Sequence, residues 1–329
     1  MTITNTPGTP GTPGTSGISQ SPTIRPIATA ERAEAVRKLM QRNASASAQQ
    51  TQYLNAVVDE LIAEQRWVWG SYGDHGRLEA VALLVPQAGR TAMAFISPPA
   101  SRAQVRPIAV LLDEACRHAP TARATLAQSL VPPHASTTTD VYLAAGFTPL
   151  ATLRYMDMTV PRRSAEPPLP AGVTLETWRE DLRGEFLQAM DDSYLQTLDC
   201  PGLQGMRRTD DVLNGHMAAG SFDPGMWTLL RVEGAAAGVL MLNPIPAAGG
   251  VELVYLGLGA AWRGRGLGRM LLRHGMWQCA QRGMRALMLA VDDANAPAMK
   301  LYEQIGFRGE MRKLALIRDF RSSGAAPGG

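Results

Sequence analysis

The stretch Trp262-Arg-Gly-Arg-Gly-Leu-Gly268 combines residue types that suit one kind of chemistry, the holding of an anion. Glycines permit close backbone approach, and a helix that starts among them presents N–H groups with no intrahelical partner, with its dipole adding to the attraction. From Leu253 to Val291 the chain has no Asp or Glu but carries Arg263, Arg265, Arg269, Arg273, Arg282 and Arg285. A phosphate-bearing ligand fits these charges. A nucleotide P-loop would need Lys-Ser or Lys-Thr after the glycines, and a dinucleotide fold would need GxGxxG with an acid about 20 residues on. Here the glycines are Gly264, Gly266 and Gly268, and the next acid is Asp292, so neither pattern applies.

The surrounding pattern predicts the elements that position this loop. An extended run, Gly250 to Leu258, precedes it. A helix from about Leu267 to Gln281 follows, with Leu267, Leu271, Leu272, Met276 and Cys279 on one face at helical spacing. The apolar run Arg285 to Val291 reads as a buried strand, so strand, loop, helix and strand form a parallel pair with a crossover helix. A helix from about Ala296 to Gln304 comes next, with Asn295 as its N-cap, and then a strand from about Gly309 to Ile317.

Two motifs in this order resemble the GNAT N-acetyltransferase superfamily. The segment RGRGLG is similar to its pyrophosphate loop, and NAPAMKLYEQIGF, Asn295 to Phe307, is similar to its following motif. The close likeness covers Val251 to Arg308. It implies acetyl-CoA as cosubstrate and no metal. It also implies that backbone groups of Leu256, Gly257 and Leu258 meet the acetyl and pantetheine portions, and that amides of Arg263, Gly264, Arg265, Gly266, Leu267 and Gly268 hold the pyrophosphate. Asn295 would contact the cofactor arm or an ordered water, and Tyr302 would stand near the sulfur as the acid for the leaving thiolate. Glu252 is the candidate base, read as alternating with Val254, Leu256 and Leu258 on one strand face. Asp191, Asp192 and Asp199 sit where the family places its variable acceptor-binding segment. They either attract an ammonium group or form a solvated helix end.

The whole chain frames this site. Its 329 residues suggest two domains. Pro161 to Gly172 contains four prolines and reads as a linker. The flanking halves repeat a Tyr four residues before Gly-Phe, Tyr142 with Gly146-Phe147 and Tyr302 with Gly306-Phe307. We therefore expect the α/β (α+β) class, with two tandem GNAT-like domains, each a twisted mixed sheet flanked by helices. The expected boundaries are a disordered tail at 1–22, a degenerate domain at 23–160, a linker at 161–172, an active acetyltransferase domain at 173–320 and a tail at 321–329. Counting back from Gly146 places Ser101 to Ala109 where the glycine loop should lie. With Arg102 matched to Arg263, Val105 and Pro107 replace Gly266 and Gly268, and Asn295 falls on or near Ala135. This half should not bind acetyl-CoA in the usual way. It completes the acceptor site, covers a sheet edge or mediates assembly. The layout resembles other tandem GNAT proteins.

Lys and Arg number 32 against 29 Asp and Glu, which argues against nucleic acid as a partner. No apolar run reaches the ~20 residues of a membrane span. Three cysteines without CxxC fit reduced thiols and a cytoplasmic location. The reading is an N-acetyltransferase acting on a primary amine of a small molecule or peptide, with a homodimer compatible. The alternatives are a non-catalytic CoA-binding scaffold and an aminoacyl transferase.

Overall fold

A computed structural model describes residues 22–40, 57–64, 66–246 and 249–321. The tails expected at the two ends lie almost wholly outside these residues.

The first half supplies β1 (Thr23–Pro26), α1 (Arg32–Met40), β2 (Val68–Tyr72), β3 (Leu78–Gln87), β4 (Thr91–Ile96), α2 (Val105–Arg117), β5 (Leu126–Val131), α3 (Ser136–Ala144) and β6 (Thr148–Thr159). The second repeats the order with β7 (Val173–Thr177), α4 (Arg183–Tyr194), α5 (Thr209–Ala218), β8 (Trp227–Val232), β9 (Ala235–Ile245), β10 (Gly250–Leu258), α6 (Leu267–Gln281), β11 (Ala286–Asp292), α7 (Ala296–Ile305) and β12 (Arg312–Asp319). The helix after the glycine loop has the predicted bounds. Its buried face, with Leu267, Leu271, Leu272 and Cys279, packs on the sheet core with Leu240 and Leu242 of β9. The last strand starts three residues later than expected. Residues before it are drawn aside, because Arg308 exchanges backbone bonds with Asp157 (2.8 and 2.9 Å) and Tyr155 donates to the Met311 carbonyl (2.9 Å).

The expected two α+β domains are present, joined in a way the repeat does not announce. All twelve strands form one mixed sheet in the order β1-β2-β3-β4-β5-β12-β6-β11-β10-β9-β8-β7. Each half sends its last strand into the other. Strand β6 pairs antiparallel with β11 from Thr159↔Ala286 to Leu153↔Asp292, and β12 pairs with β5 from Val131↔Leu314 to Leu126↔Asp319. The side chains follow: Leu316 and Phe320 lie in the first half's core, and Met156, Met158 and Val160 in the second's. A buried ion pair fixes the crossing, with Arg318 Nη2 donating to Asp113 on α2 (2.7 Å) and Nη1 to the Ala145 carbonyl (2.5 Å). Losing Asp113 would be costly, because Arg318 would be left as a buried charge without its carboxylate, whereas Asp113 is partly exposed and also pairs with Arg117.

This exchange predicts that the halves do not fold apart. Residues 161–329 expressed alone lack β6 and leave β11 as an open edge. They should be recovered folded only when co-expressed with residues 1–160, as judged by co-purification and circular dichroism. Two independently folded, monomeric halves would contradict the exchanged topology.

Candidate active site

The cleft arises where two parallel strands separate. Strands β10 and β11 pair only at Val251↔Leu287 and Glu252↔Met288. Beyond these rows each presents an unpaired edge. A cavity of about 240 Å3 fills the gap, lined by Leu253, Leu256, Gly257 and Leu258 on one side, Leu289 to Val291 on the other, and Asn295 and Tyr302 from the α7 region. The end of α4 closes the remaining side.

At the open end of β10 lies the glycine loop. Gly264 (φ 76°) and Gly266 (φ 78°) are both left-handed, and Gly266 caps α6. The N–H groups of residues 264 to 269 find no hydrogen-bond acceptor among the described residues, and a Cβ added at Gly264 or Gly266 would meet open space. The loop thus presents donors outward in a conformation that L side chains adopt only at a cost of roughly 1–2 kcal/mol. The Arg263 side chain is a strut. It donates to the carbonyls of Leu258 (3.1 Å), Gln196 (3.1 Å) and Ser193 (2.7 Å), tying the strand end to the end of α4. Arg265 stacks over the Trp262 ring at 5.0 Å.

Asn295 caps α7 by accepting from the Ala298 amide (3.3 Å) while lining the cleft. Tyr302 is buried, packs edge-on against Phe307 at 5.6 Å, and faces the cavity. Burial raises its pKa, so its phenol is protonated. Its repeat partner differs. Tyr142 Oη donates to the Ala94 carbonyl (2.9 Å), a bond Tyr302 does not make among the described residues.

Glu252 does not share a face with Leu256 and Leu258. The β10–β9 register slips between Leu253 and Tyr255, and this bulge turns Val254 and Tyr255 onto the same face as Glu252, toward α4 and α5. Leu253, Leu256 and Leu258 face α6. Glu252 pairs across to Asn243 and Met288, and burial raises its pKa. It lines neither the cleft nor the neighbouring cavity described next.

That second cavity, about 230 Å3, opens on the α4–α5 face and shares Tyr194, Thr197, Asp199 and Tyr255 with the cleft. Of the three acids in the variable segment only Asp199 reaches it. Asp191 accepts from Thr209, and Asp192 accepts from Gln188 (3.0 Å). A reciprocal latch holds Asp199: the Asp292 amide donates to Asp199 (3.2 Å) and the Cys200 amide to Asp292 (3.2 Å). Although the residue as a whole is exposed, desolvation of its carboxyl at the cleft raises the Asp199 pKa, and the Asp292 carboxyl adds to this. Burial and the same two acids push the Cys200 thiol up to about 12, which disfavours the thiolate. Tyr255 bonds Ser193 Oγ (2.6 Å) and stacks near Tyr194 and His216. Sequence patterns missed Tyr255, Arg207 and His216, because the bulge that aims Tyr255 is marked by no residue type.

The first-half loop is built differently. Its helix starts at Val105 where the second starts at Leu267, so Gln104, not Val105, stands opposite Gly266, and Arg102 opposite Gly264. The count from Gly146 was displaced because the following connection is longer here, 118–125 against 282–285. No residue from Arg102 to Gln104 has positive φ, and Gln104 Oε1 caps the Ala100 amide (2.5 Å). Ala135 does stand in the N-cap place of Asn295.

Residues 178–307 match the model of the acetyltransferase (GNAT) family. This part of the chain is a GNAT acetyltransferase domain. Among curated relatives, the mycothiol acetyltransferase of Thermobispora bispora is 32% identical over 172 residues, covering 50% of this chain and 57% of that protein. The mycothiol acetyltransferase of Thermomonospora curvata is 35% identical over 106 residues, covering 32% and 34%. The chain thus spans about a third to somewhat over half the length of these two relatives. A GCN5-related N-acetyltransferase from Sphaerobacter thermophilus matches the fold with TM-score 0.58 at 17% identity, over 92% of this chain and 96% of that one. A tandem GNAT protein from the clavulanic acid biosynthesis pathway matches with TM-score 0.52 at 17% identity, over 94% and 100%. The likeness in fold therefore extends over both halves.

His216 yields a pH prediction. Burial, then Arg207, lowers its pKa from 6.5 to about 4. Above pH 6.5 it is neutral folded or unfolded and contributes nothing. As pH falls toward 4 the unfolded chain binds the proton first, so stability is lost by up to about 3 kcal/mol, at ~1.4 kcal/mol per unit. Denaturant unfolding across this range should show His216→Asn losing less stability than the parent. Equal losses would contradict a buried neutral imidazole.

Proposed function

We propose that the second half binds acetyl-CoA in the β10–β11 cleft and transfers the acetyl group to a primary amine of a small molecule or peptide. The observation that carries this is the row of unpartnered amides at 264 to 269, on a glycine loop at the mouth of a cleft between parted strands, within a GNAT domain. These residues fit a pyrophosphate, because outward N–H groups, a helix N-terminus and arginine surroundings all favour an anion. The names of the relatives support acetyl transfer as the reaction.

Each step has a residue to perform it. The β10 edge from Leu256 to Leu258 supplies amides for the oxyanion that develops as the amine attacks the thioester carbonyl. Two carboxyl groups on the acceptor face are candidates for taking the amine's proton. Asp199 lines the junction of the two cavities, and Glu252 lies deeper on β10 and would act through water. A raised pKa brings either nearer to neutral pH, where a base is most effective. Tyr302, protonated and facing the cleft, supplies the proton to the departing thiolate. The first half, whose loop from 102 to 104 has no left-handed residue and whose Ala100 amide is capped by Gln104, does not bind the cofactor in this reading.

Two substitutions test it. Gly266→Asp places a carboxylate among the phosphate-directed amides and should abolish acetyl-CoA binding in calorimetry, with the thermal unfolding temperature close to that of the parent. Retained binding would mean that the loop is not the cradle. Tyr302→Phe should lower kcat by roughly 100-fold or more, the scale of acid catalysis, with acetyl-CoA affinity unchanged. Unchanged turnover would leave Tyr302 a packing residue. The rate should fall on the acid side of a pKa raised above the ordinary carboxylate value, and of Asp199→Asn and Glu252→Gln, the one that removes this limb identifies the base.

A further inference from the structure

The cavity under α4 and α5 is polar at two places. Asp199 stands where it meets the cleft, and Arg207 lines it as a largely buried cation. Arg207 donates to the Gly89 carbonyl (3.3 Å), and its Nε is buried with no hydrogen-bond partner. Among the described residues no ion pair is formed by Arg207, on which Tyr194 and Asp211 act only through space. Its companion His216 is half-buried, and the buried Nε2 of that ring also lacks a partner. A partly desolvated guanidinium without a counter-ion is costly to keep. A carboxylate from a ligand would offset that cost, because the planar fork of Arg matches it in bidentate fashion.

We propose that the acetyl acceptor is an amine that also carries a carboxylate, an amino acid or a short peptide with a free C-terminus. Its acid group sits on Arg207 and its amine is directed to Asp199. This rests on the acetyl-transfer reading of the cleft. A carboxylate suits the site better than a phosphate. One guanidinium beside a neutral imidazole balances a single negative charge, and the nearby Asp199 and Asp211 would repel a second.

The first half takes part in this site. Gly89 lies in the turn between β3 and β4, with φ 79°, and a Cβ there would stand 2.3 Å from the Asp211 carbonyl and 2.8 Å from Arg207 Nη2. Gly215 on α5 meets the same turn, where a Cβ would lie 3.4 Å from the Ala88 carbonyl. Two glycines thus let a hairpin of the half without a glycine cradle touch α5 and hold the guanidinium by a backbone carbonyl. Gly89 is a positioning residue, and Arg207 contacts the substrate.

The test uses the full chain, acetyl-CoA and a panel of amino acids and dipeptides, each paired with its C-terminal amide and, where one exists, its aminophosphonate. Turnover is read as thiol release, and acceptor binding as a thermal shift in the presence of CoA. The free acids should exceed their amides by about tenfold or more in kcat/KM. Arg207→Gln should bring that ratio to about one, and Arg207→Lys should keep part of it, with acetyl-CoA affinity unchanged in both. Gly89→Ala should raise KM for the acids more than it lowers kcat. Equal use of acids and amides, a preference that survives in Arg207→Gln, no acid-specific thermal shift, or a preference for aminophosphonates would each overturn the proposal. Failure of the parent protein to bind acetyl-CoA at all would show in calorimetry as the loss of the underlying reading, and the proposal with it.

Discussion

Two parallel strands that pair for two residues and then part are the constraint on which the site depends. Had β10 and β11 continued in register, their facing amides and carbonyls would have satisfied each other, and there would be no cleft. The separation is held from three sides. The bulge at Val254 changes the phase of β10, the Arg263 guanidinium draws the end of that strand to α4, and the latch between Asp199 and Asp292 seats the variable segment over the end of β11. The glycine loop then follows the free end of β10, so the anion-directed amides and the open strand edge face the same space. Backbone geometry rather than any one side chain defines the cradle.

The same sheet explains why the first half persists in a chain whose second half carries the cradle. An edge at β11 would offer unpaired backbone groups to any passing strand. Here β6 covers that edge, and β12 returns the service on β5. The first half's loop has no left-handed residue, yet this half supplies a strand, the Asp113 partner of Arg318, and a turn that touches α5. Three roles were open to it from sequence. Edge cover is visible in the strand order, and the turn at Gly89 bears on the acceptor side.

Local patterns in the sequence made most elements legible. The periodic face and preceding glycines set α6, Asn295 and Gly306 bracketed α7, and the repeated Tyr before Gly-Phe exposed the duplication. The strand exchange was not legible, because β6 and β12 both read as alternating strands at the ends of their halves and nothing local states which partner each takes. Glu252 was misplaced on its strand for a similar reason. Alternation assumes an unbroken pleat, and a bulge set by long-range pairing inverts the phase of every residue beyond it. Asp199 could not be told from Asp191 and Asp192, since its distinction is a contact with Asp292, far away in the chain. The arginine surplus around the loop was read as an anion field. In the structure Arg263 serves instead as a strut, which only the carbonyls it reaches could reveal.

Amide hydrogen exchange with and without acetyl-CoA measures the central claim most directly, because the cradle is made of backbone N–H groups. Residues 264 to 269 and the free edge of β10 from Leu256 to Leu258 should become protected together on adding the cofactor, while 101–104 in the first half exchange as before. Protection at 101–104, or none between 256 and 269, would contradict the account.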